Sequence, residues 1–285
     1  MKFYLPDWKH SLLLVLIFFA GALPAAAISL AGCDINSVTY AVTMLFPLLA
    51  AYLFSRHNEA RGMGFVPLND QQKGGFSSML PVFLLVMAAT PFIGVLLEPL
   101  TNIFPMSERL KEAFEKMFDT SRPVDMVLST VILAPLCEEL LCRGIICRGL
   151  LSRGRPWFAI FFSAFVFALL HGNLQQGIAA FGLGIFMGWV YYRTHSLWAT
   201  IAIHFTNNAI SQVMAFLFPD LPITATWASI MPRGWYIALL VTSVAVVAAV
   251  IYTLYRKYKD EQSIISFEVR PAAGREALGR ECPEE

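Results

Sequence analysis

The chain has 285 residues, of which 57% are hydrophobic and only 14% charged, where a soluble domain carries about a quarter charged residues; lipid is the solvent this composition suits. A formal net charge of +1, with no basic run interleaved with aromatics, sets nucleic-acid binding aside. The five cysteines, Cys33, Cys137, Cys142, Cys147 and Cys282, show neither CxxC spacing nor a paired framework, and the three inside one apolar segment read as small core-packing residues.

A spanning helix takes about 20 mostly apolar residues. About eight segments fit or nearly fit, at 11–31, 37–55, 77–98, 124–147, 156–171, 175–192, 196–218 and 233–255, the fifth being short. The expected fold is therefore all-α, a polytopic membrane bundle. The first part, 1–123, holds three spans and an interfacial stretch from Pro105 to Arg122, where Leu110, Phe114 and Phe118 recur at helical spacing among charges. The segment 124–218 forms a four-helix core, 219–255 a loop and the last span, and 256–285 a polar, poorly ordered tail with Pro271, Gly274 and Gly279.

Charge asymmetry orients the bundle. Lys2, Lys9, Arg56, Arg61, Lys73, Arg148, Arg153, Arg155, Arg193, Arg256, Lys257 and Lys259 all fall on one side, while the loops near Asp34 and Asn173 carry no Lys or Arg. By the positive-inside rule both termini are cytoplasmic. The mixed-sign segment 99–123 dissents weakly. At the N-terminus, Ala25, Ala26 and Ala27 imitate a cleavable signal peptide, and Leu30-Ala31-Gly32-Cys33 resembles a bacterial lipoprotein box. An uncleaved first span is the favoured reading, because small residues are common in membrane helices.

Ionisable residues inside a span cost on the order of 2.5–3.5 kcal/mol on the insertion scale, so they face the bundle interior and mark function. The fourth span carries Glu138, Glu139 and Arg143. Glu139 and Arg143 are four apart and can pair on one face. Glu138 is rotated by about 100° from its neighbour and can point elsewhere without that partner. The fifth span ends on Phe167 and His171, and the seventh carries His204 and Asn208, again four apart on one face.

These residues reach matched depth. With the hairpin between spans four and five turning near Gly154, Glu138 and His171 both lie roughly 24–26 Å from the turn. Counted back from Arg148, which is expected with Arg153 and Arg155 outside the hydrocarbon, Glu138 is roughly 15 Å deep. Asn208 is about 17 Å from the cytoplasmic end of its own helix.

A glutamate beside a histidine can take a proton from water and pass it to a leaving amine. A second histidine and an asparagine amide can donate hydrogen bonds to the oxyanion of a tetrahedral intermediate. The rival chemistry is a zinc site with Glu138, His171 and His204 as ligands, although no HExxH is present. Two further readings are a non-catalytic scaffold or immunity factor using the same polar cavity, and a proton-relaying transporter, against which the halves of the chain show no convincing repeat.

Glu138-Glu139-x-x-x-Arg143, Phe167-x-x-x-His171 and His204-x-x-x-Asn208 together resemble the three-motif pattern of the CPBP family, the CAAX prenyl proteases and bacteriocin-processing enzymes also called Abi. The resemblance covers residues from about 124 to 215. It implies a multi-pass intramembrane endopeptidase of the glutamic type, with no cofactor or, in the older view of the family, zinc. Glu138 would activate water with His171 assisting, and His204 and Asn208 would form the oxyanion hole. Glu139 and Arg143 would buttress the site, and Phe167 would pack against it. The implied partners are the bilayer and a membrane-associated peptide or protein, lipidated or not, and the lipoprotein-like box leans the setting toward a bacterial inner membrane.

Other residues receive bland readings. His10, His57 and His195 fall in loops or at span borders, and Glu98 is explained by a headgroup-level position as well as by a cavity. Trp157, Tyr191, Tyr192, Trp198 and Trp235 fit an aromatic belt. Gly182, Gly184 and Gly188 read as close helix packing.

Overall fold

The computed structural model describes residues 6–33, 35–60, 75–104, 106–117, 120–151, 155–222 and 224–259. Lys2, Asp34, Arg61, Lys73, Pro105, Phe118, Arg153, Gly154 and the tail from residue 260, with Pro271, Gly274, Gly279 and Cys282, lie outside the described residues.

The fold is an all-α helical bundle. Helix α1 runs Trp8–Leu30, α2 Asn36–Ala60 and α3 Gly75–Thr101. The interfacial stretch contains α4, Glu108–Met117. A continuous helix α5 spans 123–151. Helix α6 is Pro156–Leu170, α7 Leu174–Thr194 and α8 Leu197–Leu217. A single-turn helix α9, Trp227–Ile230, which the sequence pattern did not announce, precedes α10, Arg233–Lys257. Each of the eight expected spans coincides with one of these helices. Four of them, α1, α2, α3 and α10, are long and apolar enough to cross a membrane by length and composition, and α6 is a shorter apolar helix. The protein is thus an integral membrane protein.

The ends of the core helices follow from local chemistry. Pro156 opens α6 at a first-turn position, where its missing N–H costs nothing. Gly172, at φ +66, turns the chain after His171. The Asn173 side chain then caps α7 by accepting from the Gln176 N–H at 2.9 Å. His195 takes the left-handed conformation after α7, and the Ser196 hydroxyl caps α8.

Helix α5 is the central element, and every residue from 141 to 151 is buried. Arg148 is among them at 1% exposure, enclosed by neighbouring helices. The helix is not regular. Two π-helical stretches, Val127–Leu133 and Leu140–Cys147, flank the α-helical turn Ala134–Glu139 that carries the paired carboxylates. Pro135 explains the first, because a proline inside a helix lacks an N–H and crowds the carbonyl of the preceding turn. The Ala134 N–H reaches back five residues to the Ser129 carbonyl. The next N–H in line is the one Pro135 lacks, so the Thr130 carbonyl is left without a helical donor.

Helix α7 lies close against α6 at Gly184 and Gly188. A Cβ at Gly184 would sit 3.1 Å from the Ala164 backbone and 3.2 Å from Arg143 Nη2, and one at Gly188 would sit 3.3 Å from Ile160. Gly182 faces Leu97 of α3 instead, at 2.3 Å from a built Cβ. These glycines set interhelical distance, as their spacing suggests. Gly184→Val is accordingly expected to destabilise by about 1–3 kcal/mol through overpacking, read as a lower unfolding midpoint in detergent. Of the belt aromatics, Trp157, Trp198 and Trp235 are exposed, whereas Tyr191 is buried in the core.

Candidate active site

One cavity of about 890 Å³ opens among α2, α3, α5, α7 and α8 and the segments that cover them. Glu138, His171, His204, Asn208 and Phe167 all line it. The four residues assigned chemistry by motif therefore share one cavity, although they come from α5, the end of α6, and α8. Glu139 and Arg143 do not line the cavity.

The two adjacent carboxylates have opposite surroundings. Glu139 and Arg143 are both fully buried and are joined by a 2.7 Å hydrogen bond from Arg143 Nη1 to Glu139 Oε1. Arg143 also donates from Nη2 to the Gly184 carbonyl at 3.0 Å and lies over the Phe167 ring at 4.7 Å. His204 Nδ1 lies 3.1 Å from the same Glu139 oxygen. The guanidinium, the carboxylate and the imidazole thus tie α5 to α7 and α8. A buried ion pair of this kind needs such extra hydrogen bonds to offset its desolvation.

Glu138 faces the other way. Its Oε1 accepts from the Tyr40 hydroxyl of α2 at 2.9 Å, and its buried Oε2 has no hydrogen-bond donor. Tyr40 is a residue that sequence reasoning missed, and it too lines the cavity. Its span carries no charge at that point and a tyrosine near a helix end reads as a belt aromatic, so no signal singled it out. The α2 end is held by a second contact that was also missed. Asp125, at the start of α5, accepts from the Asn36 and Ser37 backbone N–H groups at 2.8 Å each, capping α2.

The two histidines have assignable protons. His171 Nδ1 lies 2.8 Å from the Phe167 carbonyl, which can only accept, so Nδ1 carries hydrogen and Nε2 of the neutral ring bears the lone pair. His204 Nδ1 likewise donates to the Glu139 carboxylate. Phe167 meets both rings edge to face, with centroids 5.0 Å from His171 and 5.3 Å from His204, which holds each ring orientation.

Asn208 satisfies the orphan created by Pro135. Its Nδ2 donates to the Thr130 carbonyl at 2.8 Å, and its Oδ1 accepts from Asn207. One Nδ2 hydrogen therefore anchors α8 on the irregular turn of α5, and the other remains for a ligand. Gln212, one turn further on, donates to the Thr130 hydroxyl at 2.8 Å.

The wider wall includes Glu98, for which a cavity position is one of the two sequence readings. Glu98 accepts from the Trp227 and Ala228 N–H groups at 2.9 and 3.0 Å, fixing the 224–228 segment over the cavity. His10 pairs with the Asp7 cap of α1 at 2.7 Å, away from the cavity. Cys142 and Cys147 are buried and Cys137 is partly so, none of them in a disulfide. Among the described residues no group of three His, Cys, Asp or Glu is disposed to hold a metal ion; Glu138, His171 and His204 line one cavity without forming such a group.

No curated protein and no solved structure matches the chain. Residues 120–210, which contain all three motifs, match a family model described as Rce1-like, type II CAAX prenyl endopeptidase, so this segment is similar to the family that the motifs resemble.

Proposed function

We propose that this protein is an intramembrane endopeptidase of the glutamic type that hydrolyses a peptide bond in a membrane-associated peptide or protein. The Rce1-like match over the core supports protease activity in general. The observation that carries the finer reading is the division between the neighbouring glutamates. Glu139 is spent in a fully buried pair with Arg143 and His204 behind the wall, whereas Glu138 has no cationic partner, is held only by the Tyr40 hydroxyl, and lines the cavity shared with His171, His204 and Asn208.

The reaction follows from those groups. Glu138 Oε2 takes a proton from a water molecule, whose oxygen attacks the substrate carbonyl. His171 Nε2, an acceptor in the neutral ring, orients that water. The carbonyl oxygen becomes an oxyanion that receives the second Nδ2 hydrogen of Asn208. His204 can donate to it from Nε2 only as the doubly protonated ring, since Nδ1–H is committed to Glu139; the Glu139 carboxylate is the counterion that such a ring requires. Glu138 then returns its proton to the leaving amine, which balances the hydrolysis. No serine or cysteine nucleophile and no metal is required. By the charge asymmetry of the loops, both termini face the cytoplasm.

Tyr40 positions the base in this scheme. Its hydroxyl occupies Oε1 and leaves Oε2 for water. Tyr40→Phe is expected to lower kcat by about 10- to 100-fold, the weight of a hydrogen bond to a charged group, with KM nearly unchanged. Steady-state kinetics on any cleaved peptide, with the unfolding midpoint as control, check this.

The function itself is tested with purified protein in detergent on a quenched membrane-peptide library, with and without a strong chelator. Cleavage that survives chelation is the expected result. Cleavage lost on chelation and restored by zinc would make Glu138, His171 and His204 metal ligands. Absence of cleavage across the library would favour the scaffold or immunity reading.

A further inference from the structure

Two side-chain amides in the cavity wall have no part in the chemistry above. Gln212 lies four residues beyond Asn208 and eight beyond His204 on α8, so it continues the same helix face by one turn. Gln175 stands four residues beyond His171, in the first turn of α7. Both line the cavity.

The orientation of Gln212 is fixed by its neighbour. Its Nε2 donates to the Thr130 hydroxyl oxygen at 2.8 Å, and that hydroxyl spends its own hydrogen on the Met126 carbonyl at 2.7 Å. The Thr130 oxygen can therefore only accept here, and the amide cannot be reversed. Gln212 Oε1 is turned the other way. The residue is 3% exposed, and Oε1, like Gln175 Oε1, is buried without a hydrogen-bond donor among the described residues. A buried amide oxygen is costly to leave without a donor. An occupant that relieves it brings hydrogen-bond donors, and a peptide substrate supplies them as main-chain N–H groups.

We propose that Gln212 and Gln175 form a backbone clamp for an extended peptide, each accepting one main-chain N–H of the substrate on either side of the strand. This rests on the endopeptidase reading for the identity of the occupant. Spacing supports it. One helical turn separates Asn208 from Gln212, about 6 Å along α8. In an extended chain the carbonyl of one residue and the N–H two residues on point to the same edge about 4–5 Å apart along the strand, a separation that two side chains one helical turn apart can span. With the cleaved carbonyl at Asn208, the N–H that reaches Gln212 belongs to the residue two removed from the cut, and the intervening amide points to the opposite wall. Recognition of this kind reads main chain rather than side chains, so it tolerates many sequences and demands an extended segment.

The test measures binding to the Glu138→Gln protein in detergent by fluorescence polarisation. The probe is a fluorescein-labelled, lysine-flanked leucine–alanine peptide, together with a set in which each backbone N–H in turn is methylated. Methylation at one position is expected to weaken binding about tenfold. That penalty disappears when Gln212→Met is added, a non-additivity that a purely structural role does not produce. Gln212→Glu, which keeps an acceptor of the same reach, retains the penalty. Gln175→Met removes the penalty at a different position and serves as the second variant if Gln212→Met does not fold.

Methyl penalties that persist unchanged in both Met variants overturn the clamp. So does failure of the unmethylated peptide to bind at all, since backbone acceptors are indifferent to sequence. Cleavage by wild type, followed in parallel, separates the two levels. Binding with clamp behaviour but without turnover contradicts the endopeptidase reading alone. Turnover with penalties untouched by the Met variants contradicts the clamp alone.

Discussion

Arg143→Met is expected to destabilise the protein by about 3–5 kcal/mol, the cost of removing one partner from a buried ion pair. The guanidinium is fully enclosed and makes a 2.7 Å bond to Glu139, a 3.0 Å bond to the Gly184 carbonyl and a stacking contact with Phe167. Methionine fills much of the volume but leaves the Glu139 carboxylate buried without its guanidinium partner. The double variant Glu139→Gln, Arg143→Met removes both charges. It is expected to recover most of the stability, because neutral pairs avoid the desolvation of two ions. Activity is not expected to return with it, since His204 has lost its anionic partner. Unfolding midpoints in detergent and cleavage rates of the three variants check both halves of this expectation.

Glu138→Gln is expected to have the opposite signature. Glutamine keeps the shape of the side chain and an oxygen that can accept from Tyr40, so the packing around α2 and α5 is preserved. What disappears is the ability to take a proton from water. General acid–base groups contribute on the order of 10²–10⁴-fold. Because one glutamate serves here as both base and acid, the loss is expected near the upper end, on the order of 10³–10⁴-fold in kcat. The unfolding midpoint should stay where it is.

Much of this architecture was legible in the residues. Long apolar runs name membrane helices directly, because a helix in lipid must be apolar along its length. The helix limits are set in the structure by caps such as Asn173 and Ser196 and by the prolines that open α5 and α6. Glu138, Glu139 and Arg143 stood out because charge in an apolar span is rare, and spacing alone separated the paired acid from the other.

The contacts that could not be read were those between helices distant in sequence whose side chains are unremarkable in a membrane protein. Tyr40 reaches Glu138 across 98 residues. Asp125 caps a helix that begins 89 residues before it. The reason for Asn208 was also hidden. A proline in α5 orphans a carbonyl at Thr130, and the donor arrives from α8, so only the assembled bundle shows why an asparagine belongs there. The enclosure of Arg148 was hidden in the same way: a charge count along the sequence does not distinguish an arginine facing water from one enclosed by neighbouring helices.

The central claim is that two adjacent glutamates divide between chemistry and scaffold. It is tested most directly by measuring kcat and the unfolding midpoint for Glu138→Gln and Glu139→Gln side by side, on a peptide that wild type cleaves. The account predicts that Glu138→Gln loses about 10³-fold or more in kcat at an unchanged midpoint, whereas Glu139→Gln lowers the midpoint clearly as well as the rate. Residual activity within about tenfold of wild type in Glu138→Gln, or a stable and inactive Glu139→Gln, would contradict it.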